Sequence, residues 1–218
     1  MRGTFGNFIS SLRPGARWLL FLYAVLFPLA LIGHRAHWFE LYPPLALTPV
    51  LVWKGEVWRL VSYAFLAGGI LDWFVSLFWL VTLVALVGRN WSGRALWGYC
   101  LLGAVAAALF VVVLKPAANG MIGTSSGMVF ALLVAWDRVY RNERLILAGI
   151  GEISVRQAVL LVALIDSVIL FFCSGWFLML AMWFGGAAGW VYFAARGARL
   201  SSRGSQPANS ERIARLEL

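Results

Sequence analysis

Six long apolar segments dominate this chain and restrict its backbone to very few structures. They cover approximately residues 17–33, 70–88, 95–114, 122–139, 157–173 and 175–195. Each is close to the length that an α-helix needs to cross about 30 Å of hydrocarbon. Because hydrocarbon offers no hydrogen-bond partners, a backbone inside it must satisfy its own polar groups, as a helix does. The segments therefore predict an all-α, polytopic membrane protein with six transmembrane helices.

The composition agrees with a membrane environment. Charged residues make up 12% of the chain, whereas soluble domains carry about 25%. The net charge of +9 does not indicate nucleic-acid binding, because the basic residues stand singly between apolar segments and form no patch. The two cysteines, Cys100 and Cys173, lie inside apolar segments and suggest neither a disulfide framework nor a metal site. We expect the lipid bilayer as a partner and no metal or cofactor; the oligomeric state does not follow from the sequence.

Basic residues are distributed unevenly over the two sides of such a bundle. With six spans, 14 Lys and Arg residues fall on the side of the two termini and four on the other side. Cytoplasmic loops carry the excess of positive charge, so both termini are predicted to be cytoplasmic, at a plasma (inner) membrane. An odd number of spans would mix the two groups. The first segment follows Arg13 and Arg17 without a clear cleavage site, and we expect it to be a retained span.

One membrane domain is expected over residues 1–196. Residues 34–69 contain three prolines and many aromatic residues, which predicts a loop that lies in the outer interface and packs on the bundle. Little more than Ser174-Gly175 separates the fifth and sixth segments, so these should form a tight hairpin. Residues 197–218 are polar, which predicts a disordered cytoplasmic tail, with a short helix over residues 210–218.

Small and hydroxyl side chains stand at the start of the fourth segment. Gly123, Gly127 and Ala131 are spaced four residues apart, and this spacing lets a neighbouring helix approach almost to backbone contact. A hydroxyl group in hydrocarbon must also find a hydrogen-bond partner. Ser126 therefore either belongs to a packing surface or is presented to something inside the membrane.

Three stretches together resemble the rhomboid intramembrane proteases and their relatives, including the derlins. Residues 55–66 (GEVWRLVSYAFL) resemble the stretch before the second rhomboid helix, and residues 126–132 (SGMVFAL) resemble the nucleophile helix. Residues 185–189 (GGAAG) resemble the glycine-rich sixth helix. Their order and spacing agree with a six-helix rhomboid core over roughly residues 15–195.

The resemblance implies how two further groups of residues act. Gly185 and Gly189 on the sixth helix would face the small residues of the fourth helix and pack against them. Trp58 and Arg59 would anchor the outer loop in the interface.

The resemblance also assigns a nucleophile. Rhomboid proteases use a serine from a Gly-x-Ser-Gly motif on the fourth helix, which a histidine on the sixth helix activates. Ser126 stands at the serine position, while the first glycine of the motif is replaced by Thr124. Ser125 is the second candidate if the register shifts by one residue.

The remaining catalytic positions are changed. The histidine position corresponds to Trp183, whose indole nitrogen only donates hydrogen bonds and cannot accept the serine proton. The His…Asn pair that helps to bind the oxyanion corresponds to Asp72 and Ser76. An ionised Asp72 would repel a developing oxyanion rather than stabilise it. We therefore interpret the chain as a rhomboid-like pseudoprotease.

Asp166 lies well inside the fifth segment, and an intramembrane carboxyl group is by default a candidate functional site. It is either a protonated acid that bonds a neighbouring helix or part of a proton relay. The favoured function is binding of the transmembrane helices of other membrane proteins without cleavage. The first alternative is an active intramembrane serine protease with a non-standard base, and the second is a small proton-coupled carrier centred on Asp166.

Overall fold

The chain folds into a helical bundle. We describe it from a computed structural model that covers residues 14–35, 40–88, 91–140, 144–147 and 151–204. The long helices are α1 (Pro14–Arg35), α5 (Ile70–Gly88), α6 (Gly93–Leu114), α8 (Val155–Ser174) and α9 (Trp176–Gly204). The short helices are α2 (Tyr42–Leu45), α3 (Pro49–Trp53), α4 (Arg59–Ser62), which a 3-10 turn (Tyr63–Phe65) follows, and the central α7 (Ser126–Val139). Two strands, β1 (Arg144–Leu147) and β2 (Gly151–Ser154), pair antiparallel between α7 and α8.

Within the described residues, five helices are long and apolar enough to cross a membrane: α1, α5, α6, α8 and α9. The predicted segment 70–88 matches α5 at both ends, and those for α1, α6 and α8 agree within three residues. Helix α9 instead continues to Gly204, into the segment that we expected to be a disordered tail. A helix that leaves the membrane no longer needs apolar residues, and Ala198, Leu200 and three arginines between residues 195 and 204 favour helix. The short helix predicted near residue 218 lies outside the described residues.

Helix α7 begins at Ser126, four residues later than predicted. Leu47 and Ile122 exchange backbone hydrogen bonds of 2.8 and 2.9 Å, and this pairing holds the preceding backbone out of the helix. The 14 residues of α7 span only about 21 Å at about 1.5 Å per residue. Nine of them are buried, so α7 is surrounded largely by protein. The count of six spans accordingly stays a prediction.

The bundle has two ends, which contacts between helix termini define. At one end, which we call the terminal end, Trp97 Nε1 donates to the Gly15 carbonyl (2.8 Å), and this bond joins the starts of α6 and α1. At the same end Tyr140 Oη donates to the Leu86 carbonyl (2.8 Å), which joins the ends of α7 and α5. The pairing of Leu47 with Ile122 marks the opposite end, which we call the loop end. Helix α7 therefore runs from the loop end toward the terminal end, parallel to α5.

Glycines bring α6, α7 and α9 into backbone contact at the centre of the bundle. A Cβ atom on Gly127 would lie 2.8 Å from Ala107 Cβ and 2.9 Å from the Gly103 carbonyl oxygen. A Cβ atom on Gly185 would lie 2.8 Å from Gly127 Cα. These distances are shorter than van der Waals contact, so only glycine fits. We call Gly103, Gly127 and Gly185 the glycine seam.

The seam continues by one helical turn. A Cβ atom on Gly189 would lie 3.2 Å from Ala131 Cα, and Tyr99 Oη donates to the Ala131 carbonyl (2.7 Å). Gly123 does not belong to the seam, so this part of the sequence prediction is wrong. A Cβ atom on Gly123 would lie 2.7 Å from Tyr42 Oη, because the extended backbone before α7 breaks the four-residue repeat and turns Gly123 toward the loop.

Candidate functional site

A cavity near the loop end brings together four of the polar side chains that the sequence singles out. Its volume is about 390 Å³. Asp72 and Ser76 line it from α5, Ser126 lines it from α7, and Asp166 lines it from α8. We call it the Ser126 cavity. These residues are far apart in the sequence, and the parallel course of α5 and α7 places Asp72, Ser76 and Ser126 at the same depth.

Asp72 lies in the first turn of α5 and accepts hydrogen bonds from residues that are close to it in the sequence. Its Oδ2 atom accepts a hydrogen bond from the Gly68 backbone N–H (2.9 Å), and its Oδ1 atom accepts one from Ser76 Oγ (3.4 Å). The carboxyl group thereby caps the helix start, where negative charge is favourable. The two residues at the predicted oxyanion positions are bonded to each other.

Ser126 is the first residue of α7, and its side chain is hydrogen-bonded to the hydroxyl group of Thr124. Its Oγ atom accepts a hydrogen bond from Thr124 Oγ1 (3.1 Å), and its backbone N–H donates to the same Thr124 oxygen (3.2 Å). A threonine hydroxyl is no base at neutral pH and cannot activate a serine. Thr124 stands where the rhomboid motif has glycine. The residue that departs from the motif is therefore the one that bonds to Ser126.

Ser125 does not line the cavity. Its side chain is fully buried, and its Oγ atom donates to Tyr23 Oη of α1 (3.3 Å). This hydroxyl therefore connects α7 to α1 inside the bundle and is not accessible from the cavity.

Trp183 does not face Ser126, so the prediction that it takes the place of the histidine base is wrong in position. Its Nε1 atom donates to Ser167 Oγ of α8 (3.2 Å). Trp183 thus lies on a different face of α9 from the one that lines the Ser126 cavity. The α9 residue that lines the Ser126 cavity is Met182. Successive residues of a helix point about 100° apart. An alignment that is shifted by one residue along α9 therefore puts Trp183 where the structure has Met182. The thioether of Met182 is a weak acceptor and is no better as a base.

Arg59 and Trp58 bond to the backbone of the loop before α5. The guanidinium group of Arg59 is buried, pairs with Glu56 (2.6 Å) and donates to the carbonyl oxygens of Pro43 and Ala46. The Trp58 indole donates to the Pro44 carbonyl (3.2 Å). The buried cation thus satisfies carbonyl groups that the turns of the loop leave without backbone partners.

Two tyrosines attach the same loop to the bundle. Tyr63 Oη donates to the Ala104 carbonyl of α6 (2.7 Å), and Tyr42 packs on Gly123. Burial raises the pKa of both phenols, and the negative charge of Asp72 raises that of Tyr42 further. Both hydroxyl groups are therefore neutral at physiological pH and remain able to donate.

The comparison with known protein families agrees with this architecture. The sequence profile of one family, described as "Eukaryotic integral membrane protein (DUF1751)", matches residues 17–209. No individual curated protein matches the chain at a significant level. The family match begins in the first turn of α1, includes the other four membrane-length helices of the described residues and covers the whole of the Ser126 cavity. The chain therefore belongs to the eukaryotic integral membrane protein family DUF1751, a rhomboid-like group of multi-pass membrane proteins.

Proposed function

We propose that this protein binds transmembrane helices of other membrane proteins at the Ser126 cavity and does not cleave them. The observation that carries this proposal is the surroundings of the Ser126 hydroxyl. It bonds to Thr124, and the α9 residue in the same cavity is Met182. Neither side chain accepts a proton from a serine at neutral pH. The two carboxyl groups of the cavity, Asp72 and Asp166, form no hydrogen bond to Ser126 Oγ among the described residues, which supports a nucleophile position without an engaged base.

The shape and chemistry of the cavity support helix binding. Its rim carries apolar side chains that are exposed on the bundle surface, among them Leu71 and Ile169, which are 78% and 50% exposed. Its interior carries Asp72 and Asp166. A polar side chain on a client helix is costly in lipid and gains from a polar partner. A helix that bears such a residue would find apolar contact at the rim and polar groups inside.

Crosslinking tests the binding proposal. A photoreactive amino acid at Val75 or Ile169, both in the cavity lining, is expected to capture Leu-Ala transmembrane peptides that carry one central Asn more efficiently than all-apolar peptides. Val113, which is 63% exposed on α6 and outside that lining, serves as the control position. Equal capture of both peptides at all three positions would contradict the proposal.

Active-site labelling tests the absence of proteolysis. The purified protein in lipid is expected to take up no fluorophosphonate probe at Ser126, under conditions that label an active rhomboid protease. Labelling that is lost in Ser126→Ala would instead establish the alternative, an intramembrane serine protease with a non-standard base. This outcome would leave helix binding possible as substrate recognition but would overturn the pseudoprotease assignment.

One observation favours a second candidate, a proton-coupled carrier. Asp72 and Asp166 line the same cavity from different helices, so two carboxyl groups face one space that opens on the bundle surface. Proton uptake by liposomes that contain the protein, abolished in Asp166→Asn, would support this carrier. Uptake that is unchanged in Asp166→Asn would remove it.

We propose further that the terminal end faces the cytoplasm of a plasma membrane. The support is the distribution of basic residues, because 14 of the 18 Lys and Arg residues belong to the side of the predicted termini. The starts of α1 and α6 and the β1–β2 strands lie at this end.

A further inference from the structure

A second cavity lies between α8 and α9, toward the terminal end. The two helices join at Gly175, whose φ of +85° suits a residue without a side chain. The cavity has a volume of about 330 Å³, and α7 forms its inner wall. We call it the α8–α9 cavity. Phe130 lines both this cavity and the Ser126 cavity and stands between them.

Most of the lining is apolar and faces the membrane. Small residues, Ala163, Gly186 and Ala187, form a groove along the two helices, and Leu160 at the rim is 58% exposed. The hydrogen bond from Trp183 to Ser167 lies beside the groove and links α9 to α8. One water molecule occupies about 30 Å³ in the liquid, and a methylene group has a similar volume. The cavity therefore holds about ten methylene groups, which is a long stretch of one hydrocarbon chain. Between helices of membrane length, the hydrocarbon chain that is available to fill this space is that of a lipid.

The end of the cavity nearest the terminal end is polar. Asp137, in the last turn of α7, and Arg156, in the first turn of α8, line it together with Trp190. The guanidinium group of Arg138 lies over the Trp190 ring at 5.6 Å. Tryptophan with basic residues is typical of the level of lipid headgroups.

Asp137 carries an unsatisfied acceptor at this place. Its Oδ2 atom lies 3.9 Å from Arg138 Nε. Its Oδ1 atom is buried and accepts no hydrogen bond from any residue that the structure describes. A buried acceptor without a donor is costly. The Asp137 side chain is 21% exposed, so a molecule that brings a donor to its carboxylate would be favoured there. Arg156 offers the opposite chemistry, because a guanidinium group binds phosphate well.

We propose that the α8–α9 cavity binds one glycerophospholipid whose headgroup carries a hydrogen-bond donor beside its phosphate. The acyl chain occupies the groove, Arg156 binds the phosphate, and an amine or hydroxyl group of the headgroup donates to the Asp137 carboxylate. This site is separate from the Ser126 cavity and does not depend on the function proposed for it.

Native mass spectrometry of the full chain, released from nanodiscs, tests the proposal. The nanodiscs contain equal amounts of phosphatidylcholine, which has no headgroup donor, phosphatidylethanolamine and phosphatidylglycerol. We expect one retained lipid per chain and a preference of about tenfold for a donor-bearing lipid, as one hydrogen bond to a charged group provides. Preference for phosphatidylethanolamine identifies an amine donor, and preference for phosphatidylglycerol a hydroxyl donor. Retention of phosphatidylcholine at the same level would overturn the proposal.

Substitutions at the two parts of the site separate its contributions. Ala187→Phe fills the groove and should abolish retention, whereas Ala195→Phe, exposed on α9 outside the cavity lining, should not. Asp137→Ala should remove the preference among headgroups while lipid is still retained.

The charge of Arg156 has its own matched control. Arg156→Gln should weaken retention of all three lipids, whereas Arg94→Gln, at the same end of the bundle but outside the cavity lining, should leave it unchanged. Thermal unfolding in detergent identifies variants that fail to fold. If folded Ala187→Phe and Arg156→Gln both retain lipid as the unaltered protein does, the site does not exist.

Discussion

At the scale of single residues, the proposed difference from a rhomboid protease rests on the surroundings of one hydroxyl group. Ser126 stands at the position that the resemblance assigns to the nucleophile, but Thr124 bonds to it and Met182 lines the same cavity. Trp183, one residue further along α9, points to Ser167 instead. The chemistry of the site therefore depends on which face of α9 meets α7, and a shift of one residue decides that.

This register makes a prediction about restored reactivity. Met182→His places an imidazole in the Ser126 cavity, where it can take a proton from a nearby hydroxyl group. We expect this variant to gain fluorophosphonate labelling that disappears when Ser126→Ala is added. Trp183→His is the matched control and should gain none. Labelling in Trp183→His but not in Met182→His would show that residue 183, and not residue 182, faces Ser126.

Arg59 allows a prediction about stability. Arg59→Gln removes the ion pair with Glu56 and the bonds to the carbonyls of Pro43 and Ala46. Loss of hydrogen bonds to a buried charged group should cost about 2 kcal/mol, measured as unfolding in mixed micelles. Lys54→Gln, an exposed cation in the same loop, should change little. An equal loss in both variants would mean that net charge, and not the bonds of Arg59, stabilises the loop.

At the scale of elements, α7 is the helix on which the others are arranged. It is too short to cross about 30 Å of hydrocarbon by itself, and it packs against α5, α6, α8 and α9. Its Gly127 meets Gly103 and Gly185 at backbone distance. Because lipid tails are as apolar as leucine, such close packing is a main source of stability between helices in a membrane.

Two glycine-to-alanine substitutions test the seam. Gly127→Ala inserts a methyl group 2.8 Å from Ala107 Cβ, and such overpacking should destabilise the bundle by about 1–3 kcal/mol. Gly98→Ala lies on α6, where nothing is within 4 Å of the added carbon. Alanine should there stabilise the helix by up to about 1 kcal/mol. Equilibrium unfolding in mixed micelles measures both, and equal effects would contradict the seam.

At the scale of the whole molecule, the arrangement of the helix ends predicts a topology. Ser92 lies at the terminal end and Lys54 at the loop end, on opposite sides of the bundle. In a background without Cys100 and Cys173, Ser92→Cys and Lys54→Cys should react with an impermeant maleimide from opposite sides of a sealed vesicle. A cysteine at Ser201, near the end of α9, should react from the same side as that at Ser92. Reaction of all three from one side would rule out the predicted topology.

The sequence by itself determined that this protein lies in a membrane and that long apolar helices build it. Apolar segments of membrane length require helices, because hydrocarbon satisfies no backbone group, and five of the six predicted segments correspond to membrane-length helices. Gly127, Gly185 and Gly189 were also predictable as packing positions, because their spacing repeats with the helical turn. Gly103 was missed, although Gly103 and Ala107 show the same four-residue spacing within α6.

Only the tertiary structure decided which side chains meet. The pairing of Leu47 with Ile122 delays the start of α7 and removes Gly123 from the seam. The rotation of α9 turns Met182 and not Trp183 toward Ser126. The same packing joins Asp166 to Asp72 in one cavity, although nearly a hundred positions separate them in the chain. Helix periodicity within one segment carries no information about its rotation against a neighbour, because that rotation is set by contacts between residues far apart in sequence.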